Sequence, residues 1–229
     1  MTWTIPNILT VMRLIAAPGV AVMFLYFVRP WADWFAMVLF ISAAVTDWFD
    51  GYLARIWKQE SAFGAMLDPI ADKAMVVIAL LVIVAFSGAG RRDGMDPWIL
   101  LPATMILFRE VFVSGLREFL GSRAATLKVT KLAKWKTMAQ MVAIAVLFAK
   151  GIFEHELIER EIGMDSSAVT SVMGSDIPEG VALIWYSQAA WYTWWGGVAL
   201  LWIAAALTLL TGWDYFRKSL PFFREEGRP

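Results

Sequence analysis

Four aspartates fall within 26 residues in TDWFDGYLARIWKQESAFGAMLDPIADK, residues 46–73 of a chain that is otherwise strongly apolar. Asp47, Asp50, Gly51, Ala54 and Arg55 are spaced i, i+3, i+4, i+7 and i+8, which puts all five on one face of a helix. Gly64, Asp68 and Asp72 follow at steps of four and stack on a second face. Two antiparallel helices therefore bring four carboxylates together. Such a group repels itself and loses hydration, and Arg55 alone cannot balance it. Two hard divalent cations with all-oxygen ligands, Mg²⁺ or Mn²⁺, bring four positive charges and keep positions open for phosphate oxygens. Paired metals of this kind stabilise the attacking and leaving oxygens of a phosphoryl displacement. Gly51, Ala54 and Gly64 leave room on the same faces for a bulky phosphate ligand.

Plainer readings exist for each acid taken alone. Asp47 and Asp50 could end a helix in salt bridges to Arg55 and Lys58, and Asp68 before Pro69 has the form of an N-cap with Pro at N1. A cation channel or proton-coupled transporter also places acids in a membrane, and the four residues by themselves leave that reading open.

These residues need elements that span a bilayer. The 229 residues are 59% hydrophobic and 17% charged, against about 25% charged in a soluble domain. Apolar runs bounded by charges, Gly and Pro give six spans near 7–28, 33–55, 68–87, 97–118, 136–153 and 188–213. Trp31, Trp34, Trp57, Trp98, Trp135, Trp194, Trp195 and Trp213 fall near their ends, where an indole favours the headgroup layer. The expected fold is an all-α polytopic membrane protein, one domain over residues 1–229, whose first apolar stretch has no cleavage signature and is retained.

Six spans put both termini on one side. That side collects thirteen Lys and Arg against five on the other, which makes it cytoplasmic and places the four aspartates at the cytoplasmic ends of their helices. Arg13 and Arg109 remain inside proposed spans and need partners. Residues 154–186 carry seven acids against one Arg, with Ser and Thr between, and read as a long, mobile, acidic extracytoplasmic loop. Within it, His155 reads as a surface residue, and 181–187 as a segment lying along the interface before the last helix enters. With no Cys, thiol nucleophiles, zinc–thiolate sites and disulfides are excluded. Twenty basic and twenty acidic residues argue against a nucleic-acid-binding surface.

The eight residues Asp47, Asp50, Gly51, Ala54, Arg55, Gly64, Asp68 and Asp72 match D-x2-D-G-x2-A-R-x8-G-x3-D-x3-D without departure. That pattern resembles the signature of the CDP-alcohol phosphotransferases. The resemblance implies a six-helix membrane enzyme, usually a homodimer, that moves a phosphatidyl group from a CDP-linked lipid to an alcohol and releases CMP. It implies Asp47, Asp50, Asp68 and Asp72 as ligands of two divalent metals and Asp72 also as the base. It places Asn7, Asp47, Gly51, Ala54, Arg55 and Gly64 around CDP.

The acceptor is read elsewhere. Arg109 and Arg117 are eight apart on one face of the fourth span, and Lys134 and Lys136 open the fifth. Cations at the membrane level of an anionic metal site suggest a second anion, most simply an acceptor that carries its own phosphate. The segments IPNILTVMR, FREVFVSGLRE and KWKTMAQ together resemble the bacterial branch of the family that uses sn-glycerol 3-phosphate. The same chemistry with inositol phosphate, serine or a phosphatidylglycerol as acceptor is a second reading, and a divalent-cation carrier a third. The carrier would need ionisable residues continuing to the far side, whereas the four aspartates lie only at the cytoplasmic ends of their spans.

Overall fold

The computed structural model describes residues 4–57, 61–88, 94–121 and 131–225, without the side chains of 48, 50–55, 57, 131, 133, 224 and 225. Among the described residues the chain forms seven helices and no strand. They are α1 (Ile5–Tyr26), α2 (Trp31–Trp57), α3 (Ala62–Ser87), α4 (Pro97–Leu120), α5 (Lys131–Glu161), α6 (Ser166–Met173) and α7 (Pro178–Glu225). On length and composition α1, α3, α4 and α7 are able to cross a membrane. Large side chains such as Ile15, Leu25, Phe108 and Val111 stand more than half exposed, an arrangement suited to lipid as the solvent. The chain is a multi-pass membrane protein.

Two compact units divide the chain, the first made of Met1–Ile83 and Ile144–Gly197 and the second of Val84–Ala143 and Val198–Pro229. In the first, α1 packs along α2 through small residues: Ala17, Ala32 and Ala36 are fully buried, and a Cβ on Gly19 would lie 3.1 Å from Leu39. Small side chains let backbones approach closely where lipid offers no hydrophobic drive. Phe40 and Phe148 fill the centre, their rings 6.3 Å apart. The Arg29–Asp33 ion pair, at 2.6 Å, is covered by Gly151 of α5, which has no space for a Cβ.

In the second unit α4 begins at a built cap. Asp96 accepts from the Trp98 N–H at 2.9 Å, and its own N–H reaches the Ser87 hydroxyl at 3.1 Å. Ile99, Ala103, Ile106 and Val113 form the buried stripe of α4, and Leu201, Ala204 and Ala205 that of α7.

Two expectations and one of the plainer readings are corrected. The acidic segment 154–186 is largely helical: α5 runs on to Glu161, α6 follows with Asp165 as its N-cap, and α7 starts at Pro178. Residues 181–187 are no separate segment but part of the uninterrupted α7. Asp68 caps nothing. It lies inside α3, which begins six residues earlier, and Pro69 is accommodated within the helix.

Candidate active site

The site is built in the first unit, where α1, α2 and α3 each contribute polar residues one helical turn apart. α1 offers Asn7, Thr10 and Arg13, all buried, at steps of three that keep them on one face. Against them stand Ser61 and Gly64 at the start of α3, then Asp68 and Asp72, and Asp47 of α2.

At the first level Ser61 occupies the N-cap position of α3. Its hydroxyl accepts from the Gly64 N–H at 3.0 Å and donates to Asn7 Oδ1 at 2.8 Å. A Cβ on Gly64 would lie 2.8 Å from Asn7 Oδ1, so only glycine admits this approach. One turn on, the Thr10 hydroxyl donates to Asp68 Oδ1 at 2.7 Å. One further turn on, Arg13 Nη1 donates to Asp47 Oδ1 at 2.5 Å and to Asp72 Oδ1 at 2.7 Å.

Arg13 is the partner the carboxylates lacked. Its side chain is 2% exposed while those of Asp47 and Asp72 are 42% and 44% exposed. The guanidinium thus closes the site from inside, and the carboxylates face outward. Asp47 is bound to Arg13 across the helix pair, while its sequence neighbours Arg55, by its side chain, and Lys58 lie outside the described residues. The side chains of Asp50, Gly51, Ala54 and Arg55 lie outside the described residues, although their backbone continues α2.

Among the described residues no three His, Cys, Asp or Glu side chains are close enough together to hold one ion, and Asp50 is not among those. The donor set nevertheless fits hard divalent cations. Asp47, Asp68 and Asp72 each have one oxygen engaged by Arg13 or Thr10, which leaves the second oxygen of each for another partner. Four carboxylates and Arg13 sum to −3. Two divalent ions reverse that to +1, a charge suited to receiving a pyrophosphate. Beside Arg13, between α1 and α2, an apolar cavity of about 320 Å³ is lined by Leu9, Met12, Ala16, Leu39 and Ala43.

The four basic residues expected to bind an acceptor all belong to the second unit. Arg109 donates to Glu110 at 3.0 Å and to Thr211 at 3.4 Å. Lys136, 7% exposed, is also ion-paired with Glu110. Arg117 lies over the Tyr215 ring at 5.4 Å, and Lys134 is exposed. Arg109 and Lys136 are therefore brought together by Glu110, leaving one net positive charge among the three. Sequence reasoning missed the parts played by Glu110, Ser61 and Thr10. For Thr10 a signal was present in the three-residue spacing of Asn7, Thr10 and Arg13.

The chain belongs to the CDP-alcohol phosphatidyltransferase family, whose model matches residues 3–212. It is 64% identical over 227 residues to a CDP-diacylglycerol–glycerol-3-phosphate 3-phosphatidyltransferase of Cereibacter sphaeroides, covering 99% of this chain and 100% of that protein. A protein of the same description from Rickettsia bellii is 34% identical over 219 residues, 96% of this chain and 97% of the relative. Another from Escherichia coli is 40% identical over 149 residues, 64% and 78% of the two chains.

Proposed function

We propose that the chain transfers the phosphatidyl group of CDP-diacylglycerol to sn-glycerol 3-phosphate, giving phosphatidylglycerophosphate and CMP. The observation that carries this reading is the convergence of Asp47 and Asp72 on the buried Arg13, with Asp68 held beside them by Thr10, in a chain 64% identical to a phosphatidyltransferase of that description. Asp47, Asp50, Asp68 and Asp72 would hold two divalent cations, Mg²⁺ or Mn²⁺, which would supply charge to polarise the pyrophosphate. Asn7, Gly51, Ala54, Arg55 and Gly64 surround the CDP part of the donor, and the apolar cavity beside Arg13 suits its lipid part.

Asp72 takes the proton of the glycerol 1-hydroxyl as that oxygen bonds to the lipid-bearing phosphorus. The bond from that phosphorus to the bridging oxygen breaks in the same displacement, and CMP leaves with the electron pair. Arg13 stays ion-paired throughout and fixes the direction of the Asp72 carboxylate, so no covalent intermediate with the protein is required. Arg109, Arg117, Lys134 and Lys136 are assigned to the acceptor phosphate, with Glu110 setting the positions of Arg109 and Lys136.

The six long helices cross the bacterial inner membrane, both termini and the aspartates face the cytoplasm, and residues 1–229 act as one catalytic domain in a homodimer. The thirteen-to-five distribution of basic residues supports that orientation. The test is purified protein in detergent with Mg²⁺, CDP-diacylglycerol and a panel of acceptors, scored for CMP. Glycerol 3-phosphate is expected to release CMP at least tenfold faster than inositol phosphate, serine or phosphatidylglycerol; equal or faster release with another acceptor overturns the assignment.

A further inference from the structure

Thr10 is 2% exposed, yet its hydroxyl is directed at a carboxylate 58 residues away, at 2.7 Å from Asp68 Oδ1. The same oxygen lies 3.1 Å from the Pro6 carbonyl of its own helix. A hydroxyl has one proton, and the two acceptors compete for it. The carboxylate has the advantage of charge and the shorter distance, while the Pro6 carbonyl already lies opposite the Thr10 N–H in the helical ladder. The bond therefore goes to Asp68.

We propose that Thr10 is a positioning residue for metal binding: by holding Oδ1 of Asp68 it fixes the plane of that carboxylate and points Oδ2 toward the divalent cation. The inference rests on the reading of the aspartates as a metal site and assigns a residue outside the ligand set. The contacts one turn to either side strengthen it. Asn7 is locked to Ser61 and Gly64, and Arg13 to Asp72, so α1 cannot slide or rotate against α3 without breaking all three levels. Thr10 is the middle one, and in a helix its branched side chain is confined to two χ1 rotamers to begin with. The ordering cost of Asp68 is thereby met in folding rather than when the ion arrives. Partners that orient ligands in this way change metal affinity by about 10- to 100-fold when removed.

Thr10→Val keeps the shape and removes the hydroxyl, and Thr10→Ser keeps the hydroxyl and removes the methyl. The measurement is Mn²⁺ affinity of the purified protein without lipid substrate, read from the free-ion signal in electron paramagnetic resonance. Alongside it the Mg²⁺ concentration for half-maximal turnover is compared with kcat. Val is expected to weaken Mn²⁺ binding at least tenfold and to raise the Mg²⁺ requirement more than it lowers kcat, with Ser within threefold of the unaltered protein. Mn²⁺ binding by Val equal to that of the unaltered protein overturns the proposal, as does equal weakening by Val and Ser, which would make the effect one of packing. Should Val not fold, Thr10→Ala against Thr10→Ser gives the same comparison. An unaltered protein that binds no Mn²⁺ overturns this inference and the metal site together. One that binds Mn²⁺ with the Thr10 dependence but releases no CMP overturns the transferase reading alone.

Discussion

Replacing Arg13 by Met keeps length and apolar contact and removes the charge that joins Asp47 to Asp72. Breaking a fully buried ion pair costs about 3–5 kcal/mol, and an exposed one about 0–1 kcal/mol. Here the cation is 2% exposed and its two partners are 42% and 44% exposed, so the carboxylates regain part of their hydration. The cost then falls between those limits, at about 1–3 kcal/mol. For a chain of this size about 2 kcal/mol lowers Tm by roughly 4–8 °C. The assay is thermal unfolding of purified protein in detergent, with EDTA and again with saturating Mg²⁺. The full deficit is expected in EDTA and less than half of it with Mg²⁺, because a cation bound by the same aspartates takes over the missing charge. An Arg13→Met protein as stable as the unaltered one in EDTA would refute the claim that this guanidinium holds the carboxylates together.

Gly64→Ala places a Cβ 2.8 Å from Asn7 Oδ1 and 3.3 Å from the Ser61 hydroxyl, so Asn7 must move; the KM for CDP-diacylglycerol should rise at least tenfold, as read in a CMP-release assay. Gly151→Ala drives a methyl into the Arg29–Asp33 pair and should cost about 1–3 kcal/mol, seen as a lowered Tm. At the N-cap of α6 the Ala168 N–H, at 2.7 Å, and the Ser167 hydroxyl hold the Asp165 carboxyl below its ordinary value. The cap is complete above about pH 4 and is lost as pH falls through that lowered value, so the protection factors of α6, relative to intrinsic exchange, should fall only in that acid window. In Asp165→Ala the protection should be reduced at every pH above that window and equal to that of the unaltered protein below it.

Much of the candidate site was legible because its signal is local. The spacing of Asp47 and Asp50, then of Asp68 and Asp72, sets two helical faces regardless of how the helices pack. Arg13 was visible only as an unexplained charge, since its partners lie 34 and 59 residues away and no periodicity encodes that pairing. Asp68–Pro69 satisfies the sequence rule for an N-cap, yet Ser61, which has no Pro beside it, makes the hydrogen bond at the start of α3. Composition misled at 154–186: the acidic, Ser-rich stretch has the chemistry of a loop, yet Asp165 uses the same chemistry to start a helix. Gly180 then lets α7 begin against the end of α6, closing on the Val172 and Ser175 carbonyls with no space for a Cβ.

The central claim is that the aspartates joined through Arg13 and Thr10 carry out phosphatidyl transfer to glycerol 3-phosphate. It is tested most directly by purified protein reconstituted with CDP-diacylglycerol, glycerol 3-phosphate and Mg²⁺, with CMP and phosphatidylglycerophosphate measured together in the unaltered and Asp72→Asn proteins. The two products should form one to one in the unaltered protein. The Asp72→Asn variant should fold and bind donor while turning over at least about 100-fold more slowly, the scale of a lost general base. Full turnover by Asp72→Asn, or CMP released without phosphatidylglycerophosphate, would contradict the account.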